Sequence, residues 1–445
     1  MYFTEIKDKN VIYYDLKEKV KITIDEEKFL GLINIEEPEE LRWPEEFQDS
    51  FEKPVNSKLL RDLAKGANRV AIIVSDSTRG VPTSKVMPIV LKELQIAGIN
   101  FKQIVIVIAL GVHRPATPRE IEEIVGKDYL NKIKIINHDP YNNEELVFLG
   151  KTSFGTPIEV NKTVYQSDLR INIGKVEPHE FAGFSGGRKS VLPGISSEKT
   201  IRENHRPEMI LKSGSRPGCL VDNSIHKDMI EAVKMLGIHF SINFVLTSSG
   251  CTVGLFVGNI FDAHQRAVEF IKSFCKVKIE EKPDIIVTTP GFPLNIDFYQ
   301  SIKPLISLES IIAKNGIIVL YSLCPDGFNS GDMLLPFEGV KTLDEVIGKL
   351  MKNYKIQMDH ALLLCKILKK NIKIIVSSPN LEEQTLKKIY LECFKSPQEA
   401  VKRALDISGK SKPRVLFFPQ PQLSLIHISE PTRPLYISYA VFCLK

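Results

Sequence analysis

Four short strings in this 445-residue chain bring together side chains able to do acid–base, anion-binding or metal chemistry. The first, Ser75-Asp76-Ser77-Thr78-Arg79-Gly80, follows the apolar run VAIIV directly. An acid and a guanidinium three residues apart at a strand-to-helix turn can orient a catalytic group or clamp a carboxylate, and a helix N-terminus suits an anion. The same string also reads as a capped helix start with a surface ion pair. The second, Gly111-Val112-His113-Arg114-Pro115, sets His113 at the carboxyl end of IVIVIAL. Histidine titrates near neutrality and serves as acid or base with little tuning. Alone it would read as a structural hydrogen-bonding group; its placement is what marks it.

The third string is the longest, GKVEPHEFAGFSGGRKSVLPGISSEKTIRENH from Gly174 to His205. It holds His179, a turn with Gly183, Ser185, Gly186 and Gly187, then Lys189, Pro193-Gly194 and His205. Glycines let backbone N–H groups approach a phosphate, and a lysine can meet its charge. A Walker A loop needs Gly immediately before the Lys, and Arg188 stands there; the G-x-G-x-x-G dinucleotide spacing is absent too. The bland alternative is a flexible surface loop. The fourth string, Phe298-Tyr299-Gln300-Ser301-Ile302-Lys303, opens an expected helix with Tyr299 and Lys303 spaced i, i+4. A hydroxyl and an ammonium on one face suit a carboxylate, although the string also reads as ordinary helix surface. The other histidines read as structural: His138 in a turn, His226 at a helix start, and His239, His264 and His360 without polar company in sequence.

All four strings follow expected strands, where open α/β sheets collect ligands. Short β-branched runs are expected as strands buried on both faces: Val70–Val74, Gln103–Ala109, Ile133–Ile136, Leu169–Ile173, Ile285–Thr288, Ile317–Tyr321, Ile372–Val376 and Val415–Phe418. Helical patterns lie between them, among them Thr83–Ala97, His226–Leu236 and Ile260–Phe274. Alternation of this kind predicts an α/β protein of two domains. Each would be a mostly parallel sheet with helices on both faces, with the active site in the cleft between them. The charged stretch Lys276–Pro283 is the expected linker, dividing residues 1–275 from 280–420.

Composition excludes several classes. A net charge of +5, with Lys and Arg interspersed among acids, argues against a nucleic-acid arm or a membrane patch. The start MYFTEIKDKN lacks a secretory h-region, and no window has the roughly 18 apolar residues of a membrane span. Seven scattered cysteines without a C-x-x-C pair point to reduced thiols in the cytoplasm, and any metal needs another ligand set. Residues 424–445 contain HISEPTR, which is similar to translated sequencing-adapter DNA, so this tail is read as non-native.

Taken together, the strings SDSTRGVPT, GVHRPAT, GKVEPHEFAGFSGGRKSVLPGISS, RENH and DFYQSIKPL resemble the nickel-dependent lactate racemases over roughly residues 5–420. The resemblance implies a nickel pincer nucleotide, a nicotinic-acid-type mononucleotide with two sulfur groups and a carbon–nickel bond. It implies Lys189 as covalent anchor through a thioamide, His205 as nickel ligand, and Ser185, Gly186 and Gly187 at the cofactor. His113 and His179 would be the acid/base pair, with Asp76 and Arg79 orienting that chemistry and the substrate. Tyr299, Gln300 and Lys303 would hold the substrate carboxylate. The implied reaction racemises a 2-hydroxy acid, lactate first, by proton-coupled hydride transfer through a 2-keto acid. Enzymes that build the cofactor are then partners in maturation. One departure concerns an aromatic side chain, often Trp, that lines the family's site: the sole Trp here is Trp43, and Asp359 and His360 stand near the place in question. The alternatives are a racemase or epimerase of another 2-hydroxy acid, and a non-redox nucleotide- or phosphate-binding protein.

Overall fold

Apolar β-branched runs bounded by turns form the sheets, because only strands buried on both faces tolerate such continuous hydrophobicity. The structure, a computed structural model, describes residues 4–7, 10–15, 18–33 and 35–428. Contacts divide them into two units: Glu37–Phe274, and the described residues up to Glu36 together with those from Cys275 onward.

The Glu37–Phe274 unit is built on a six-stranded sheet. Its spatial order is Thr252–Gly258, Phe240–Leu246, Leu169–Lys175, Val70–Ser75, Ile104–Ala109 and Lys134–Asn137. All neighbours run parallel except the edge pair Phe240–Leu246 and Thr252–Gly258. Ile72, Ile106, Ile171 and Ile242 are wholly buried in one core with Met87 and Val90 of the helix Thr83–Ile96 and with Phe47 and Phe51. The chain lays strands to one side of Val70–Ser75, then returns to place Leu169–Lys175 on the other side. The loops leaving these two strands therefore diverge at a topological switch point, the ligand-collecting place of an open sheet.

The other unit carries six parallel strands in the order Glu392–Phe394, Lys373–Ser377, Ile317–Tyr321, Ile285–Thr289, Val415–Pro419 and Phe29–Leu32. The strands expected here all form. Two expectations are corrected. The N-terminal residues, assigned to the first domain, belong instead with this unit: Phe29–Leu32 pairs with Val415–Pro419, and Thr23 N–H donates to Gln398 Oε1 at 2.8 Å. Charge masked a short strand in the expected linker as well. Lys276–Ile279 pairs in parallel with Leu425–Ile428, since alternation with Val277 and Ile279 suffices for an edge ladder. Beyond Ile428, the tail read as non-native lies outside the described residues. Among the described residues no helix is long and apolar enough to cross a membrane.

Candidate active site

Three loops at the switch point carry the chemistry-bearing residues of the Glu37–Phe274 unit. Ser75 ends its strand, and Asp76 caps a 3-10 turn, Ser77–Arg79, by accepting the Thr78 N–H at 2.8 Å. Asp76 is 5% exposed and faces His113, whose Nδ1 lies 3.2 Å from Oδ2. Arg79 closes the group, with Nε 3.9 Å from that carboxylate oxygen and Nη2 3.5 Å from His113 Nε2. Burial pushes the Asp76 carboxyl up. The His113 hydrogen bond, the Arg79 charge and Thr78 outweigh it and hold Asp76 well below the usual carboxylate range. An ionised Asp76 accepts from Nδ1–H, so the neutral ring keeps its lone pair on Nε2, the form of a base.

A carboxyl with a depressed folded pKa contributes stability that is complete above its ordinary value of about 4 and is lost as pH falls through the folded value. Asp76→Asn is therefore expected to flatten the acid-side fall of the unfolding midpoint below about pH 4. It is also expected to cut turnover by roughly 10²–10⁴-fold, because an amide no longer dictates the His113 tautomer. Unchanged acid sensitivity in a thermal melt series would remove Asp76 from this role.

The Gly174–His205 segment gathers its three functional side chains around one ring. Phe181, 2% exposed, meets His179 edge-on at 4.8 Å and His205 edge-on at 5.0 Å, and Lys189 Nζ lies 5.7 Å from its centroid. His179 Nδ1 lies near the N–H groups of Phe181 and Ala182 at 3.5 and 3.4 Å, with Glu180 Oε2 at 3.2 Å. Two backbone N–H groups and a carboxylate oxygen thus converge on the one ring nitrogen.

His205 follows the helix Glu198–Asn204 and is 6% exposed. Its Nδ1–H donates to the Ile201 carbonyl at 3.1 Å. Burial, and then the Lys189 charge, push its pKa down to about 3. The ring is neutral with Nε2 unprotonated, the condition for ligating a metal.

Arg188 holds the glycine-rich turn together. Its guanidinium is 2% exposed and donates to the carbonyls of Ala182 and Phe184, each at 2.8 Å, and reaches His264 Nε2 at 2.9 Å. Burial alone lowers its pKa to about 9. The Ser185 hydroxyl is spent within the turn, donating to the Lys175 carbonyl and accepting from the Glu177 N–H. Gly186 sits at φ +74°, where an added Cβ would come within 2.8 Å of the Lys175 carbonyl oxygen. Gly187 N–H donates to Asn243 Oδ1 at 3.1 Å. With that donor committed inward, the turn is not a phosphate cradle of the Walker kind. A hydrogen bond from Gly111 N–H to the Gly194 carbonyl ties the His113 loop to this segment.

In the other unit, Tyr299 and Gln300 lie on the short helix Phe298–Ser301, capped by Asp297, which accepts from the Gln300 N–H at 2.7 Å. Lys303 begins a separate helix, Lys303–Leu308, so the single helix expected here is broken at Ile302. All three side chains are half-buried.

Phe181, Arg188 and His264 were not among the sequence-derived site residues. A phenylalanine between a histidine and two glycines carries no chemical signal, and the partners of His264, Ser185 and Arg188, lie more than seventy residues upstream. Trp43 is exposed, its indole N–H donating to the Lys85 carbonyl. His138 packs in its loop, where Nε2 bonds the Ser196 carbonyl at 3.0 Å. Phe181→Ala is expected to lower the unfolding free energy by about 3–5 kcal/mol in urea titration, since it empties a packed ring site. A loss below about 1 kcal/mol would show that the ring does not organise the three side chains.

The switch-point loops of an open α/β sheet thus carry His113, His179, Lys189 and the buried His205, residue types able to do acid–base and metal chemistry. A family model described as the lactate racemase N-terminal domain matches residues 14–218, and one described as the lactate racemase C-terminal domain matches residues 278–423. The lactate racemase of Thermoanaerobacterium thermosaccharolyticum is 33% identical over 362 residues, covering 80% of this chain and 84% of that protein. That of Lactiplantibacillus plantarum is 32% identical over 405 residues, covering 89% and 95%. The solved apoprotein structure of the T. thermosaccharolyticum lactate racemase superposes with a TM-score of 0.87 at 30% identity, covering 94% of this chain and 100% of that one. A Thermotoga maritima structure shares the fold, with a TM-score of 0.66 at 20% identity over 83% of this chain and 96% of that one. The chain belongs to the lactate racemase family, and is an isomerase of the racemase class.

Proposed function

We propose that this enzyme interconverts the D and L forms of a 2-hydroxy acid, lactate being the first candidate, in a cytoplasmic setting. The observation that carries the reading is the set around Phe181: His205 neutral with its Nδ1 anchored, beside Lys189 and His179.

These residues fit a nickel pincer nucleotide. His205 offers one metal-ready nitrogen. In the nickel pincer nucleotide that the family resemblance implies, the other metal ligands would come from the organic group. Lys189 would anchor that group covalently, and the Ser185–Gly187 turn would border it. When bound, it supplies an acceptor and donor for the hydrogen that leaves the substrate carbon as hydride, which avoids a poorly stabilised carbanion.

The protein's own part is position and proton movement. His113 Nε2, held by Asp76, takes the proton of the substrate hydroxyl, and Arg79 orients the substrate anion. The substrate becomes a 2-keto acid, planar at the reacting carbon. His179, entering the turnover doubly protonated, then returns its Nε2 proton to the oxygen, and delivery of hydrogen to the opposite face inverts the centre. In the reverse direction the two histidines exchange roles. Gln300, Lys303 and Tyr299 supply substrate contacts.

The chain produced together with cofactor-building enzymes is expected to contain nickel, to carry a mass adduct, and to racemise either pure enantiomer of lactate in chiral analysis. Absence of both nickel and adduct would overturn the reading. A loaded enzyme that leaves lactate unchanged would move the reaction to another 2-hydroxy acid.

A further inference from the structure

The Glu37–Phe274 unit has a groove of about 730 Å³ that residues of the helices Ser224–Leu236 and Ile260–Phe274 line from two sides. Arg188, His226 and His264 form part of its wall, whereas His113, His179, Lys189 and His205 do not. The charge of Arg188 lies in this wall without an acid to balance it. Among the described residues its partners are all neutral: the carbonyls of Ala182, Phe184, Ser185 and Gly186, and the His264 ring. A buried charge met only by dipoles is costly, and a nearby anion would offset that cost. The groove's two acids are engaged elsewhere. Glu231 accepts from the Ser153 N–H and hydroxyl, each at 2.6 Å, and Asp262 accepts from the Asn56 side-chain amide at 2.7 Å. Lys227 and Lys234 stand exposed beside them.

We propose that this groove binds a small oxyanion, a phosphate or a carboxylate, balanced by the Arg188 charge and received by the His226 ring and Lys227. The N–H groups of Arg188 are spent inward on the glycine-rich turn, so the guanidinium acts on the groove through its field. Direct donors come from the other two. His226 Nδ1 is shut in without a partner, which leaves Nε2 as the ring nitrogen to meet a ligand. Burial first, and then the Arg188 charge, push the His226 ring down to about 3, so the ring is neutral and carries one proton to donate. The same two causes hold His264 well below the ordinary histidine range. A cation would meet this field unfavourably, and an oxyanion has only lone pairs to offer, which suits a ring N–H and ammonium groups.

Calorimetric titration with inorganic phosphate, and separately with acetate, tests the proposal on the wild type, Lys227→Glu and His226→Phe. The wild type is expected to bind at least one of the two ions. Phosphate alone would assign a phosphate ligand, acetate alone a carboxylate, and both a general oxyanion site. Lys227→Glu changes an exposed side chain and should fold; it is expected to weaken binding about tenfold at low salt, and less as salt screens the charge. His226→Phe keeps a ring but loses the donor, and is expected to weaken binding by about tenfold as well. The His226 ring resonances in an NMR titration of the wild type should move with the same midpoint as the heat. A wild type that binds neither ion would overturn the proposal. So would binding that either variant leaves unchanged, or a His226 signal that stays fixed while heat is evolved, since each puts the ion elsewhere on the chain.

Discussion

Lys189→Ala, co-produced with the cofactor-building enzymes, is expected to show the unmodified chain mass and to racemise lactate no faster than a buffer blank. The expectation follows from the division of labour in the turn. Arg188 provides the fold, holding the Ala182 and Phe184 carbonyls at 2.8 Å while wholly buried. Lys189 contributes its backbone, with N–H to the Gly186 carbonyl at 3.1 Å, and sends a half-buried ammonium over the Phe181 ring. Removing that side chain should leave stability within about 1 kcal/mol, since it is not packed in the core. Lys189→Arg sharpens the result. It keeps the charge and the contact with the ring, but a guanidinium stays protonated and cannot form the amide-type bond. Both variants should fold and both should lack the adduct. An adduct on either, or racemisation at more than about a tenth of the wild-type rate, would mean that Lys189 is not the anchor.

The parts of this architecture legible in the sequence were those governed by local physics. Val70–Ser75, Ile104–Ala109 and Leu169–Lys175 stand out because burial on both faces demands unbroken aliphatic runs. Asp76, His113 and the Gly174–His205 segment stand out because each leaves a strand at the switch point. What long-range contact decides was not legible. Glu26–Leu32 gives no sign that it will join a sheet whose partner strand begins at Val415. His264 acquires its polar company only when its helix lays it on the glycine-rich turn. Phe181 is invisible as a site residue because its role is to be a surface for three others. Tyr299 is hydrogen-bonded to Asp359 and His360, about sixty positions further on, so no motif could announce those contacts.

The two histidines should fail differently when removed one at a time, and this separates a two-base mechanism from a single shuttling base. His113→Ala and His179→Ala are each expected to retain nickel and adduct, since neither residue anchors or ligates, and to lose about 10²–10⁴-fold in racemisation. Racemisation needs both groups, because hydrogen must depart from one face and return to the other. A single turnover from one enantiomer to the 2-keto acid needs only the base on its own side. In the two-base scheme each remaining histidine serves only the enantiomer whose hydroxyl it faces. His113→Ala should therefore form keto acid from one enantiomer alone, and His179→Ala from the other. Trapping keto acid after rapid mixing with each pure enantiomer reads this directly. Equal loss of both half-reactions in one variant, with the other variant still racemising, would assign all proton transfer to one histidine and leave the second as part of the wall.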